Sequence, residues 1–220
     1  MSDLDERVAE VRARIAAAAQ RAGRDPGDVT LVGASKTVPA ERLVDAVGAG
    51  LTDLGENRAQ ELLEKAPALA AAGCTPRWHF VGRLQRNKVG ALAPHVTLWH
   101  SVDRLTVGQA IARRAPGARV LVQVDLGDEP QKGGCPPEDA PDLVDSLRGL
   151  AVDVAGLMTV PPQDADPRAS FATLRGLASR IGVHELSMGM TDDYDVAVEE
   201  GATMVRVGRA IFGPRPAPTP

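Results

Sequence analysis

The stretch TLVGASKTVPAERLVDAVG, Thr30 to Gly48, reads as a strand, a turn and a helix in that order. Thr30 to Ser35 is an apolar run of strand length. Pro39 suits a first helical turn, and the residues up to Gly48 follow as a helix. The same unit recurs along the chain. Candidate strands are Leu51 to Gly55, Trp78 to Gly82, Leu98 to Val102, Arg119 to Leu126, Val152 to Val160, His184 to Met188 and Met204 to Gly208. Helix-like stretches lie between them: Arg58 to Ala72, Leu84 to Leu92, Arg104 to Ala115, Pro137 to Leu147, Arg168 to Ile181 and Asp192 to Glu200. A short helix, Ala210 to Phe212, stops at Gly213. Strands alternating with helices predict an α/β fold with parallel strands and right-handed crossovers. Eight units predict a single (β/α)8 TIM barrel, with an open doubly wound sheet as the alternative. No GxGxxG follows the first strand, which weakens a dinucleotide-binding reading.

The ends of the chain differ from this repeat. Met1 to Ala22 reads as an extra N-terminal helix, because Leu4, Val8, Val11 and Ile15 recur at helical spacing and Gly23 stops it. Residues 1–213 are expected to form one domain. Pro214, Pro216, Pro218 and Pro220 predict an extended, disordered tail over residues 214–220.

Composition narrows the function. The 220 residues are 44% hydrophobic and 25% charged, enough apolar content for a real core. The net charge of −4 offers no basic excess for phosphate backbones, and six aromatic residues give few stacking surfaces, so no nucleic-acid partner is expected. No apolar run reaches the roughly 18 residues of a membrane span, and the first residues carry no apolar signal-peptide core. Cys74 and Cys135 make neither a disulfide framework nor a metal cluster. A cytoplasmic, soluble protein is the expectation.

Lysine is rare here: of 25 basic residues only Lys36, Lys65, Lys88 and Lys132 are lysines. Arginine keeps its proton, whereas a desolvated lysine can lose it and attack a carbonyl. Lys65 and Lys88 lie in polar helical stretches and Lys132 in a glycine-rich loop. Lys36 alone directly follows an apolar strand, at the barrel end where active sites sit. Arg206 interrupts the apolar run Met204 to Gly208, where a charge must be paired or serve a ligand. Barrels often bind phosphate with the loops after strands seven and eight. There Ser187 offers a hydroxyl, and the turn Gly208–Arg209–Ala210 offers bare backbone N–H groups. Asp192 and Asp193 are expected in the first turn of the helix after strand seven, with Thr191 as its cap. Asn57 follows strand two, where its amide either orients a ring oxygen or carbonyl or caps the next helix. His79 reads as a hydrogen-bonded core histidine; His95, His100 and His184 are too scattered for a metal site. Gly133, Gly134 and Cys135 look like a flexible loop. A Schiff-base lysine, a strand arginine and a phosphate turn at one mouth suit an aldehyde carrying a phosphate. Two ligands remain open on this reading: pyridoxal 5′-phosphate, or a sugar phosphate cleaved by an aldolase.

Five stretches go further: LVGASKTVPAERL (Leu31 to Leu43), GENRAQELLEK (Gly55 to Lys65), WHFVGRLQRNK (Trp78 to Lys88), GLMTV (Gly156 to Val160) and LSMGMTDDYDVAVEEGATMVRVGRAIFG (Leu186 to Gly213). In this order they resemble the pyridoxal phosphate homeostasis proteins, the YggS/PROSC type. The resemblance implies an alanine-racemase-like barrel of the fold type III pyridoxal phosphate class. It implies that Lys36 forms the Schiff base, that Ser187 holds the phosphate, and that Arg206 faces the pyridine nitrogen. It places Gly208 and Arg209 against the phosphate and Asn57 along the ring. Thr191 stands where the family usually has serine, and Arg209 where many members have threonine. The implied role is binding pyridoxal phosphate, with no metal and no established turnover, and delivery to apo-enzymes as possible partners; we expect a monomer. A weak amino-acid racemase or an aldolase is the rival reading, and a pure interaction protein with an idle barrel a third. Tyr194, the sole tyrosine, is not expected to act as a base.

Overall fold

The computed structural model describes residues 2–127, 129–162 and 165–214, so most of the proline-rich tail lies outside the described residues. Eight strands, β1 (Thr30–Ala34), β2 (Asp53–Glu56), β3 (Arg77–Phe80), β4 (Val96–Val102), β5 (Ala118–Gln123), β6 (Val152–Met158), β7 (Glu185–Ser187) and β8 (Met204–Val207), pair in sequence order into a closed barrel. Every pairing is parallel, and β1 closes the ring on β8 with Thr30 opposite Met204. The (β/α)8 expectation holds; the open-sheet alternative does not.

Helices α2 (Ala40–Gly48), α3 (Ala59–Ala71), α4 (Val89–Leu92), α5 (Leu105–Arg114), α6 (Ala140–Arg148), α7 (Pro167–Ile181) and α8 (Tyr194–Glu199) follow the strands in turn, and α9 (Arg209–Phe212) follows β8. One expected helix is much reduced. Over Leu84 to Leu92 the chain forms a short 3-10 turn, Arg86–Lys88, and then only the single turn of α4. Leu84 is buried in the main core from the loop before that turn, and Arg104 donates to its carbonyl at 3.1 Å.

The extra helix, α1 (Asp3–Arg21), starts in a capping box: Ser2 Oγ accepts from Asp5 N, and the Asp5 carboxylate accepts from Ser2 N. Its Leu4, Val8, Val11 and Ile15 are buried, each worth about 1.5–3 kcal/mol once out of water. They pack against α8 and α9, and α1 also touches α2. The helix therefore lies on the flank of the barrel, across the seam between the last and first units. No described helix is long and apolar enough to cross a membrane.

Two cores result. The larger fills the space between strands and helices; the smaller, Leu98, Leu121, Met158 and Met204, lies inside the barrel. Side chains two apart on a strand share a face. His100 is therefore inside with Leu98, and Arg206 inside with Met204. The barrel interior is thus apolar in one layer and polar in the next, toward the strands' C-terminal ends.

Candidate functional site

A cavity of about 710 Å³ opens at the mouth formed by the ends of β1, β7 and β8. Lys36, Thr37, Arg42, Thr191, Asp192, Arg206, Gly208 and Arg209 line it, with Val38, Met190 and Phe212 as apolar wall. The sequence-predicted Lys36, Arg206, Gly208 and Arg209 are thereby brought together. Ser187 and Asn57 are not among the lining residues.

The backbone that carries Lys36 is clamped from both sides. Thr37 adopts φ 64°, a left-handed conformation that a β-branched residue takes at a cost of about 1–3 kcal/mol. Its N–H donates to Glu61 Oε2 at 2.7 Å. On the other side, the Ser35 carbonyl accepts from Lys65 Nζ at 2.8 Å. The same ammonium reaches Glu56 Oε1 and Glu61 Oε2, each at 2.7 Å, and Ser35 Oγ donates to Glu56 Oε1 at 2.8 Å. Lys65 lies on a helix as expected, but it is buried as a member of an ion-pair cluster. Burial pushes the Glu56 carboxyl up despite Lys65. At Glu61 burial pulls the same way, but hydrogen bonds from Lys65 and Thr37 outweigh it and hold that carboxyl below its ordinary value.

Arg206, only 5% exposed, donates to Ser187 Oγ at 2.5 Å and to the Thr159 carbonyl at 2.8 Å. Burial lowers its pKa to about 10, so it stays charged at neutral pH. Behind Ser187 runs a chain the sequence did not reveal. Ser187 Oγ lies 2.8 Å from His100 Nδ1, His100 Nε2 lies 2.8 Å from His79 Nδ1, and His79 Nε2 lies 3.0 Å from Asp53 Oδ1. Arg77 closes the chain with two bonds to the Asp53 carboxylate, at 2.7 and 2.6 Å. His79 is the hydrogen-bonded core histidine expected, and His100 joins it. Burial, then the neighbouring His79 and Arg206, drive the His100 pKa well below the ordinary value. Burial alone would raise the Asp53 carboxyl, but bonds from His79 and Arg77 outweigh it and leave it far below the usual range.

These two shifts predict an acid limb in stability. Unfolded histidine takes up a proton near pH 6.5, whereas folded His100 resists. Its contribution is complete above about pH 6.5 and is lost as pH falls toward the folded value. Asp53 adds a second loss below about pH 4, where the unfolded carboxyl protonates first. Guanidinium unfolding between pH 8 and 4 should show stability falling by on the order of 1 kcal/mol per pH unit below pH 6.5. A flat profile between pH 7.5 and 5 contradicts it.

The other candidates fall into place around the mouth. Gly208 is half-buried beside Ala34, where an added Cβ would sit 3.3 Å from the Ala34 carbonyl. The Arg209 side chain is exposed and paired with Asp192. The helix expected from Asp192 begins only at Tyr194, and Thr191 does not cap it: Asp193 occupies the cap position and its carboxylate accepts from Met190 N at 2.5 Å. Tyr194 is fully buried beneath Arg14 of α1, 4.7 Å from ring centroid to guanidinium carbon, away from the mouth cavity. Gly133 and Gly134 both have positive φ, and Gln123 Nε2 pins the loop by donating to the Lys132 and Gly133 carbonyls, each at 3.0 Å. Burial pushes the adjoining Cys135 thiol up to about 12, which makes it inert.

Asn57 directly follows β2, half-buried, with its Oδ1 enclosed and unpartnered. Gly82 holds that segment in place, because a Cβ there would lie 2.0 Å from the Asn57 carbonyl. Gly82→Ala must displace the Asn57 backbone. It is expected to cost about 1–3 kcal/mol, read as a lower denaturant midpoint. An unchanged midpoint would show that the two segments move independently.

A closed parallel barrel with a lysine just past its first strand and a buried arginine in its last places the chain in the alanine racemase N-terminal domain class. That family matches residues 7–216. Within the class the likeness is sharper. The chain is 44% identical to the pyridoxal phosphate homeostasis protein of Pseudomonas aeruginosa, over 98% of this chain and 97% of that one. It is 43% identical to the protein of the same name from Aquifex aeolicus, over 96% and 97%. The structure of PipY from Synechococcus elongatus, solved with pyridoxal phosphate bound, matches with a TM-score of 0.83 and 31% identity, over 96% of this chain and all of that one. The chain belongs to the pyridoxal phosphate homeostasis protein family.

Proposed function

We propose that this protein binds pyridoxal 5′-phosphate in the barrel mouth, through a Schiff base on Lys36, and acts as a carrier and buffer of the reactive aldehyde. The observation that carries this reading is the pairing of Lys36, on a clamped and strained turn, with the charged, buried Arg206 across one cavity. The residues present fit the group. The lysine suits the aldehyde and Arg206 the ring nitrogen; the bare backbone at Gly208 and the Arg209 turn suit the phosphate. Ser187 enters through its bond to Arg206, whereas Asn57, which does not line the cavity, takes no part in this reading.

Bound pyridoxal phosphate supplies an electron sink when its ring nitrogen is protonated. A guanidinium keeps its own proton, so Arg206 favours a weak sink and little turnover. Racemisation would further need an acid or base on each face of the ring. Among the described lining residues the one carboxylate is Asp192, and it is paired with Arg209. These features favour holding over conversion. Release to apo-enzymes would follow from the reversibility of the imine, and a monomer suffices for every contact invoked.

The test is a visible spectrum of the protein mixed with pyridoxal phosphate, before and after borohydride, with peptide mapping. A visible band that bleaches and a pyridoxyl group on Lys36 are expected. No band sinks the proposal. Solvent deuterium entering the α-carbon of an added amino acid, lost in Lys36→Ala, would favour the racemase reading. Delivery fails if the loaded protein activates an apo-enzyme no faster than free cofactor does.

A further inference from the structure

The hydrogen-bond chain behind Arg206 has a direction, and the direction fixes what Ser187 can do. Start at its far end. The Asp53 carboxylate can only accept, so His79 Nε2 carries a proton. Arg77 already neutralises that carboxylate through two bonds. His79 Nδ1 then accepts from His100 Nε2, the one arrangement that gives the buried Ser187 hydroxyl an acceptor at the other end of the chain. With Nε2 donating, His100 Nδ1 is left as an acceptor in turn. Ser187 Oγ has one proton, and His100 Nδ1 is where it goes. The remaining lone pairs of Oγ accept from Arg206 Nη1. The reverse direction would need a proton on His100 Nδ1, and Ser187, with 0% exposure, would then hold a buried O–H with no acceptor among the described residues. A second observation agrees. Ser187 does not line the mouth cavity, whereas Arg206, Gly208, Arg209 and Thr191 do.

We propose that Asp53, His79 and His100 are positioning residues that commit the Ser187 hydroxyl to anchoring Arg206, so that Ser187 serves the ring side of the bound cofactor and not its phosphate. The family resemblance alone implied the opposite role for Ser187. This inference rests on the reading that the mouth binds pyridoxal phosphate, but its first test does not. Each link takes one donor and one acceptor, so the chain carries orientation from the barrel interior to the mouth. Arg206, bonded to Ser187 Oγ through Nη1 and to the Thr159 carbonyl through Nη2, is held as a cation aimed into the cavity.

Nitrogen-15 NMR of the ligand-free protein at neutral pH reads the histidine tautomers. Both His79 and His100 should carry the proton on Nε2 and none on Nδ1. A proton on His100 Nδ1 overturns the proposal. The second test titrates pyridoxal phosphate and 5′-deoxypyridoxal, which lacks the phosphate, against wild type, Ser187→Ala, His100→Leu and His100→Gln. Ser187→Ala and His100→Leu are expected to weaken both aldehydes by the same factor, about tenfold, the size of one hydrogen bond to a charged group. His100→Gln can accept from Ser187 and donate to His79, and should recover most of that loss. If Ser187→Ala weakens the phosphorylated aldehyde about tenfold more than the deoxy analogue, the hydroxyl serves the phosphate and the proposal fails. Unchanged affinity for both aldehydes also overturns it. A wild-type protein that binds neither aldehyde refutes the cofactor reading instead, and the tautomers still decide the relay.

Discussion

Lys36→Ala protein is expected to bind pyridoxal phosphate on the order of 100-fold more weakly than wild type and to retain no borohydride-trapped adduct in the barrel mouth. A difference of that size is about 3 kcal/mol, a modest demand on a covalent bond. The other lysines are poor substitutes for physical reasons. Lys65 is buried between two carboxylates. Lys132 is tied to Glu129 at 2.6 Å and donates to the Pro161 carbonyl. Lys88 is exposed on a 3-10 turn and is not among the residues lining the cavity. Lys36→Arg separates charge from chemistry, because it keeps a cation while removing the nucleophile. It should fail as completely as Lys36→Ala. If Lys36→Arg retains tight binding, electrostatics alone holds the cofactor and the Schiff base is dispensable.

The second large effect concerns stability. Lys65→Met is expected to cost about 3–5 kcal/mol, because it strands Glu56, which is fully buried, without its cation. Denaturant unfolding reads this directly. Glu56→Gln added to Lys65→Met removes the stranded charge and should recover part of the loss. A loss below about 1 kcal/mol in the single variant would show that water reaches Glu56 freely. The same substitution frees the Ser35 carbonyl and removes a partner from Glu61, which restrains Thr37. Capture by Lys36 should therefore slow more in Lys65→Met than in a variant equally destabilised elsewhere.

The barrel was legible because each strand is a short apolar run and each connection carries a helical pattern or a turn signal. All eight strands lie where those runs fall, with edges moved by a few residues. The stretch after β3 was misread because Leu84, Val89 and Leu92 look like one apolar helix face. In the fold Leu84 reaches the same core from a loop residue, and the helix shrinks to a single turn. Position alone placed Lys36, Arg206 and the glycine turn at one end of the barrel, where they line one cavity, but did not separate a ligand-binding lysine from a solvated one. The burial of Lys65 was not legible, because its partner Glu56 sits on the preceding strand, and one sequence does not show which helix face meets it. The relay was hidden for the same reason at longer range. Asp53, His79, His100 and Ser187 lie on four strands, and only closure of the barrel brings them into one line. Each looked like an isolated polar residue in an apolar run. That pattern, a polar residue at the inward position of several successive strands, is the signal that could have found them.

The pairing of Thr30 with Met204, under a helix that packs across the same seam, bears on how the chain comes to be folded. Contacts so distant along the chain form late and slowly. On the ribosome, β1 has no partner on its open side until β8 has emerged. Until then the apolar stripe of α1 lacks its seat on α8 and α9. A nascent chain stopped before Met204 exposes two unpaired sheet edges and that stripe together, a combination that invites aggregation. The vulnerable period of this protein is therefore its synthesis.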